Sequence, residues 1–257
     1  MAPLRIAAVI PARMRSSRFP GKALLQVRGV PMVEHVRRRT VLSRAFDEVV
    51  VATCDDAIAE VVRGHGGRVV MTSPDHAGAL DRVAEAIRSV ECTHVVNVQG
   101  DEILILPDDL RRVAEAVRAQ PEIPAWNAVA SLDGASELSD PSIVKLVMSM
   151  SGRVMFCARD ASAIPCREPG FDPIRKSIGI MALTRAGVEQ FTQRPRTTLE
   201  RATSIDQLRW LEHDLILQTV WLQKGYPTIN EPREVPLVEA AFAQDRLQQA
   251  ILEQVLT

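Results

Sequence analysis

The chain has 257 residues, 46% hydrophobic and 25% charged, the make-up of a globular protein with a sizeable core. A formal net charge of −1 and only 4% aromatic residues exclude the broad basic field and the stacking platforms of a nucleic-acid binder. No apolar stretch reaches the roughly 18 residues of a membrane span, and the first residues lead into a strand-like run with no signal-type apolar region, so a cytoplasmic protein without membrane contact is expected.

The first element is an apolar strand over residues 5–10. It empties into a loop, residues 10–22, carrying Arg13, Arg15, Arg18, Ser16, Ser17, Gly21 and Lys22. In an open α/β sheet, ligands sit at the carboxyl ends of strands. Guanidinium forks, hydroxyls and a glycine there suit the oxygens of a polyanion, phosphate above all. The alternative for such a loop standing alone is a solvated basic surface, the weaker of the two readings. The pattern then predicts a helix at 32–43, a strand at 49–52, a helix to residue 63 opened by Asp55 and Asp56 as an N-cap pair, a strand at 68–71 and a helix at 79–89. Next come a strand at 94–98 and a helix at 107–119. Short, continuous apolar runs separated by amphipathic helices read as buried parallel strands with right-handed crossovers.

The strand at 94–98 runs into Gln99-Gly100-Asp101-Glu102. Gly-Asp-Glu alone is a common turn. Beside an anion-holding loop, it is the acidic strand end that Mg²⁺–nucleotide chemistry uses, because Mg²⁺ bridges one or two carboxylates to substrate phosphates.

After residue 120 the rhythm changes. Strands are predicted at 127–132, 145–150, 154–158 and 176–183, with prolines at 141, 165, 169 and 173 marking loops between them. Helices follow at 185–193 and 204–211, a strand at 217–222, and one C-terminal helix from 238 to 255. The expected organisation is a single domain, 1–257, with 121–183 as a mixed-strand acceptor and dimerisation subregion. Cys54, Cys92, Cys157 and Cys166 show no CxxC spacing, which argues for reduced, mostly buried thiols over a zinc site. His35, His65 and His213 read as packing residues, and Trp126, Trp210 and Trp221 as core or dimer-interface residues.

Several motifs in this order resemble the 3-deoxy-manno-octulosonate (Kdo) cytidylyltransferase family. They are Ile10-Pro11-Ala12-Arg13 with Ser16-Ser17-Arg18 and Pro20-Gly21-Lys22, Gly29-Val30-Pro31-Met32-Val33, Asn97-Val98-Gln99-Gly100-Asp101-Glu102, Ile178-Gly179-Ile180, and Leu199-Glu200-Arg201 followed by Ser204-Ile205-Asp206-Gln207-Leu208-Arg209. The resemblance runs nearly the full length. It implies a Rossmann-like α/β nucleotidyltransferase fold, with a mostly parallel central sheet and a mixed-sheet extension, and a homodimer. It also implies transfer of CMP from CTP to a small anionic acceptor, with Mg²⁺ and release of pyrophosphate.

By the same resemblance, Pro11, Ala12, Arg13, Ser16 and Lys22 form the CTP loop, His76 borders the nucleotide and Gln99 lies between nucleotide and acceptor. Asp101 is a metal ligand, and Glu239 is the nearest match to a second one. Arg13, Lys22 and Asp101 carry the catalytic roles, charge neutralisation and alignment, with no nucleophilic side chain required.

The departures fall on the acceptor side. The family's Ser-Gly-Thr-Asp/Glu-Arg reads Gly78-Ala79-Leu80-Asp81-Arg82, and His-Ile-Gly-Ile-Tyr reads Ser177-Ile178-Gly179-Ile180-Met181. With Leu80 and Met181 facing the acceptor and Lys176 and Arg175 beside Ser177 and Asp206, the expected acceptor is a compact anion. A phosphonate such as phosphonoformate, used by an offshoot of the family, would fit, as would a Kdo-like 2-keto sugar acid. Three further alternatives stand: a true Kdo enzyme of this family whose acceptor site has drifted, a UTP- or dTTP-dependent sugar-phosphate enzyme, disfavoured by the Pro-Ala-Arg start, and a catalytically dead nucleotide-binding protein.

Overall fold

The structure, a computed structural model, describes residues 3–16, 18–76, 78–164 and 173–256. Ser17, Pro165, Cys166 and Pro169, all singled out above, lie outside the described residues. The chain forms two compact units, Met1–Glu115 with Tyr226–Thr257, and Ala116–Gly225. The second unit begins close to the expected subregion at 121 but continues to 225, beyond the expected end at 183.

In chain order the elements begin with β1 (Ile6–Ala12), the small hairpin β2 (Gln26–Val27) and β3 (Val30–Pro31), and α1 (Met32–Leu42). Then come β4 (Glu48–Thr53), α2 (Asp56–Gly64), β5 (Arg68–Met71), α3 (Ala79–Ala86), β6 (His94–Val98) and α4 (Pro107–Ala119). In the first unit β1 pairs in parallel with β4 on one side and β6 on the other, and β4 pairs in parallel with β5. Val9 thus sits between Val50 and Asn97. The residues Ile6–Ile10 are buried throughout, which is why the strand reads as an unbroken apolar run. The chain builds outward from β1 to β4 and β5, then returns to the other side of β1 for β6. That reversal opens a crevice at the carboxyl ends of β1 and β6, where Arg13 and Gln99 leave the sheet.

The second unit holds β7 (Ala125–Ala130), β8 (Lys145–Met148), β9 (Val154–Ala158), β10 (Ile174–Thr184), α5 (Arg185–Gln193), α6 (Thr198–Thr203), α7 (Gln207–Glu212) and β11 (Gln218–Trp221). Its strands are mixed: β10 is antiparallel to β7 and β8, β8 is antiparallel to β9, and β11 is parallel to β7. The register of β10 against β7 shifts between Ser177 and Met181.

Helix α6 was not visible in the hydrophobic pattern. It is held by a capping box in which Thr197 accepts from the Glu200 N–H and Glu200 accepts from the Thr197 N–H. It ends at Ser204, whose φ of 55° is left-handed, so α6 and α7 are separate helices. Beneath them, the fully buried Glu200 carboxylate pairs with Arg209, which stacks over Phe191 at 3.9 Å.

The expected single C-terminal helix is two, α8 (Val235–Gln244) and α9 (Arg246–Leu256), both in the first unit. Asp245 makes the break. Its carboxylate accepts from the Leu247 and Gln248 N–H groups at 2.9 and 3.2 Å, capping α9, and from the Tyr226 hydroxyl at 2.8 Å. Among the tryptophans, Trp210 and Trp126 are buried and Trp221 is half-exposed. Cys92 and Cys157 are buried free thiols and Cys54 is partly buried. Among the described residues no helix is long and apolar enough to cross a membrane.

Candidate active site

The loop after β1 is shaped by its neighbours before any ligand arrives. Asp55, expected as a helix cap, gives its carboxylate instead to the Met14 N–H at 2.8 Å. Met14's carbonyl then accepts from the Ser16 and Gly21 N–H groups at 2.9 and 2.8 Å. Gly21 closes this turn with a φ of +78°, a left-handed conformation that disfavours any side chain. Lys22 follows immediately and is therefore fixed in direction.

The Lys22 ammonium donates to Asp101 at 2.8 Å, to the Ile229 carbonyl at 2.9 Å and to the Asn230 side-chain oxygen at 3.4 Å. Both charged side chains are 15% exposed. Arg18 donates to the same Asn230 oxygen at 2.9 Å. Asp101 reaches this position because Gly100 lets the end of β6 pass close to β1: a Cβ at Gly100 would sit 3.0 Å from the Pro11 carbonyl.

A cavity of about 230 Å³ opens here. Pro11, Ala12, Arg13, Ser16 and Lys22 line it from the first loop, Gln99, Gly100 and Asp101 from the end of β6, and Ala79 from the start of α3. Arg18 and Asn230 also reach it. Its charged lining is thus three cations, Arg13, Arg18 and Lys22, against one carboxylate, Asp101. Among the described residues the Arg13 guanidinium has no hydrogen-bond or ion-pair partner. The wall therefore carries surplus positive charge available to a polyanion.

Asp101 offers one carboxylate oxygen beyond the one that Lys22 holds. Among the described residues no three His, Cys, Asp or Glu side chains gather as a metal cage. This donor set fits Mg²⁺ arriving with a nucleotide, held by one carboxylate, phosphates and water, better than a resident ion.

Other expected site residues lie elsewhere. Glu239 does not line the cavity; it pairs with Arg28 at 2.6 Å, because α8 carries it toward the turn after β2. His76 does not line it either; its Nε2 pairs with Glu85 of α3.

The acceptor-side expectations change most. Lys176 is already held by Asp133 at 2.6 Å and Glu137 at 3.1 Å. The Arg175 guanidinium lies 4.0 Å over the Trp221 ring and donates to the Ile174 carbonyl. Ser177 accepts from Asn127 at 3.0 Å, and Gln207 donates to the Asn127 oxygen at 2.8 Å. Asp206 stands at the start of α7 without a side-chain cap bond. Leu80 and Met181 are 1% and 4% exposed, core residues and not a pocket surface. The case for a compact phosphonate rested on those two facing the acceptor and on two ready cations, and the structure removes both supports.

Asp55 and Asn230 were missed as builders of the site. The first had a signal: Ala12 pairs with Thr53, so a carboxylate just past the end of β4 is within reach of the loop after β1. Asn230 comes from the far end of the chain with no local mark.

Residues 7–218 match the sequence pattern of a family described as Cytidylyltransferase. The chain is 35% identical over 247 residues to the 3-deoxy-manno-octulosonate cytidylyltransferase of Geobacter sulfurreducens, covering 90% of this chain and 98% of that protein. It is 34% identical over 247 residues to the 8-amino-3,8-dideoxy-manno-octulosonate cytidylyltransferase of Shewanella sediminis, covering 94% and 100%. It is also similar to a solved CMP:2-keto-3-deoxy-manno-octonic acid synthetase complexed with CTP. That match has a TM-score of 0.87 and 32% identity, over 94% of this chain and 99% of the other.

Proposed function

The chain belongs to the cytidylyltransferase family and is a CTP-dependent nucleotidyltransferase, and from that premise we propose that its acceptor is a Kdo-like 2-keto sugar acid. The observation that carries the acceptor choice is the commitment of Lys176 and Arg175 to partners within their own unit. A compact phosphonate asks mainly for charge. A polyhydroxylated acid asks for neutral donors and acceptors, the kind of group that the partly exposed Ser177 and Gln207 carry. Relatives with Kdo or amino-Kdo in their names support the same choice.

In this reading an acceptor oxygen attacks the α-phosphorus of CTP, the bond from that phosphorus to the bridging oxygen breaks, and pyrophosphate leaves. Arg13 and Ser16 hold the triphosphate oxygens. Lys22, locked by Asp101, Ile229 and Asn230, presents a charge that need not reorganise as the phosphates gain negative charge. Gln99 orients the nucleotide at the end of β6. Mg²⁺, when bound, polarises phosphoryl oxygens, and Asp101 is the side chain that would hold it. The homodimer belongs to the same proposal, supported by the exposed apolar side chains Met150, Met155 and Phe156 of the second unit.

The test is pyrophosphate release with CTP, Mg²⁺ and each of Kdo, 8-amino-Kdo and phosphonoformate. The expected result is a kcat/KM for a sugar acid at least about tenfold above that for phosphonoformate, the scale of one well-made hydrogen bond. Phosphonoformate winning would overturn the acceptor assignment.

A further inference from the structure

We propose that His76, Arg82 and Glu85 are positioning residues for the nucleoside end of the cavity, holding the β5–α3 connection, and through it Ala79, in place as the cavity wall. This rests on reading the cavity as the CTP site. The cations and Ser16 claim the triphosphate, so the uncharged lining, with Pro11, Ala79, Gln99 and Gly100, is what remains for the nucleoside.

Among the described residues between β5 and α3, Thr72, Ser73, His76 and Gly78 are tied by three side chains of that helix. Asp81 accepts from the Gly78 N–H at 3.1 Å. Arg82 donates to the Thr72 hydroxyl and to the Ser73 carbonyl. Glu85 accepts from the Ser73 N–H at 2.9 Å and pairs with His76. The His76 hydrogen bond, with help from the Ser73 N–H, holds the Glu85 carboxyl below the usual carboxylate range.

Arg82 is the telling member. It is 2% exposed, its partners among the described residues are neutral oxygens, and its Nη2 is buried without one. A guanidinium buried without a carboxylate is costly, and an apolar residue would fill the same space more cheaply. What the arginine provides is a fixed path for the backbone at Thr72 and Ser73, and hence a fixed start for α3. A cavity wall displaced by an ångström is enough to spoil nucleotide alignment.

His76 and Glu85 are 22% and 33% exposed, so replacing them leaves the core intact. The experiment is calorimetric titration of the full-length protein with CTP and with UTP, without acceptor, for wild type, His76→Leu, Glu85→Leu and His76→Gln. Both leucine variants should bind CTP at least about fivefold more weakly and narrow the CTP-over-UTP preference. Their kcat at saturating CTP should stay within about threefold of wild type, so that the damage falls on KM. His76→Gln, which keeps a donor for Glu85, should return CTP affinity to within about twofold. Wild-type affinity and preference in both leucine variants would overturn the proposal, as would a loss that His76→Gln fails to rescue. Wild-type CTP affinity left unchanged by Arg13→Ala would overturn the site reading itself, and the proposal with it.

Discussion

The loop after β1 in the first unit and the strands and helices of the second treat their positive charges in opposite ways. In the first, the loop after β1 leaves Arg13 without a partner among the described residues, and fixes Lys22 at the edge of a cavity through a single carboxylate and two neutral oxygens. In the second, Lys176 is held by two carboxylates and Arg209 by a buried one, Arg175 lies on Trp221, and Lys145 donates to three backbone carbonyls. Positive charge recruits an anion where the fold leaves it in surplus, as the three cations against one carboxylate do in the cavity. The loop after β1 is arranged to receive a polyanion, whereas these cations of the second unit serve as internal ties.

The largest effect should come from removing the one carboxylate in the cavity. Asp101→Asn should lower kcat by at least about 10²-fold, because it loosens Lys22 and takes away the side chain placed to hold Mg²⁺. The second unit's counterpart, Asp133→Asn, should change kcat by less than about threefold, since Glu137 still holds Lys176. Pyrophosphate release at saturating CTP and Mg²⁺ measures both. Near-wild-type turnover in Asp101→Asn would remove it from the metal and charge roles.

A smaller contrast concerns acid. Burial, above all, lowers the pKa of His35 to about 4, and its Nε2 lies 2.8 Å from the Val27 carbonyl. The unfolded chain takes up that proton near 6.5, so this contribution is complete above pH 6.5 and is lost as pH falls toward 4. In the second unit, burial raises the Glu200 pKa, but hydrogen bonds from Arg209 and Arg196 outweigh it and the net shift is downward. Its contribution is complete above about 4.5, the ordinary carboxylate range, and is lost only as pH falls through the lower folded value. Hydrogen exchange, corrected for its intrinsic pH dependence, should therefore show α1 losing protection between pH 6.5 and 5 while α7 keeps it. Equal loss in both helices over that range would contradict the assignment.

The first unit was the more legible because its signals are local. Ile6–Ile10 is an unbroken apolar run since both faces are covered, and the loop after it announces its chemistry through residue types that need no distant partner. Gly100 and Gly21 stand where close approach and a left-handed turn require them. The second unit's chemistry depends on pairings that no window of sequence contains. Nothing around Lys176 says that Asp133 and Glu137 will take its charge, and nothing around Met181 says that β10 turns it into the core. Leu80 misled in the same way, since α3 directs it inward while Ala79 beside it lines the cavity. Asp245 was readable in principle, as a capping residue set inside a long apolar pattern.

The most direct test of the contrast between the units is CTP affinity, measured by calorimetry in Arg13→Ala and Lys176→Ala. Loss of a charged hydrogen bond to phosphate is worth about 1.5–3 kcal/mol, so Arg13→Ala should weaken CTP binding at least about tenfold. Lys176→Ala, a cation already spent inside its own unit, should leave CTP affinity within about twofold of wild type while lowering thermal stability. An Arg13→Ala variant that binds CTP like wild type, or a Lys176→Ala variant that loses as much affinity as Arg13→Ala, would contradict the account.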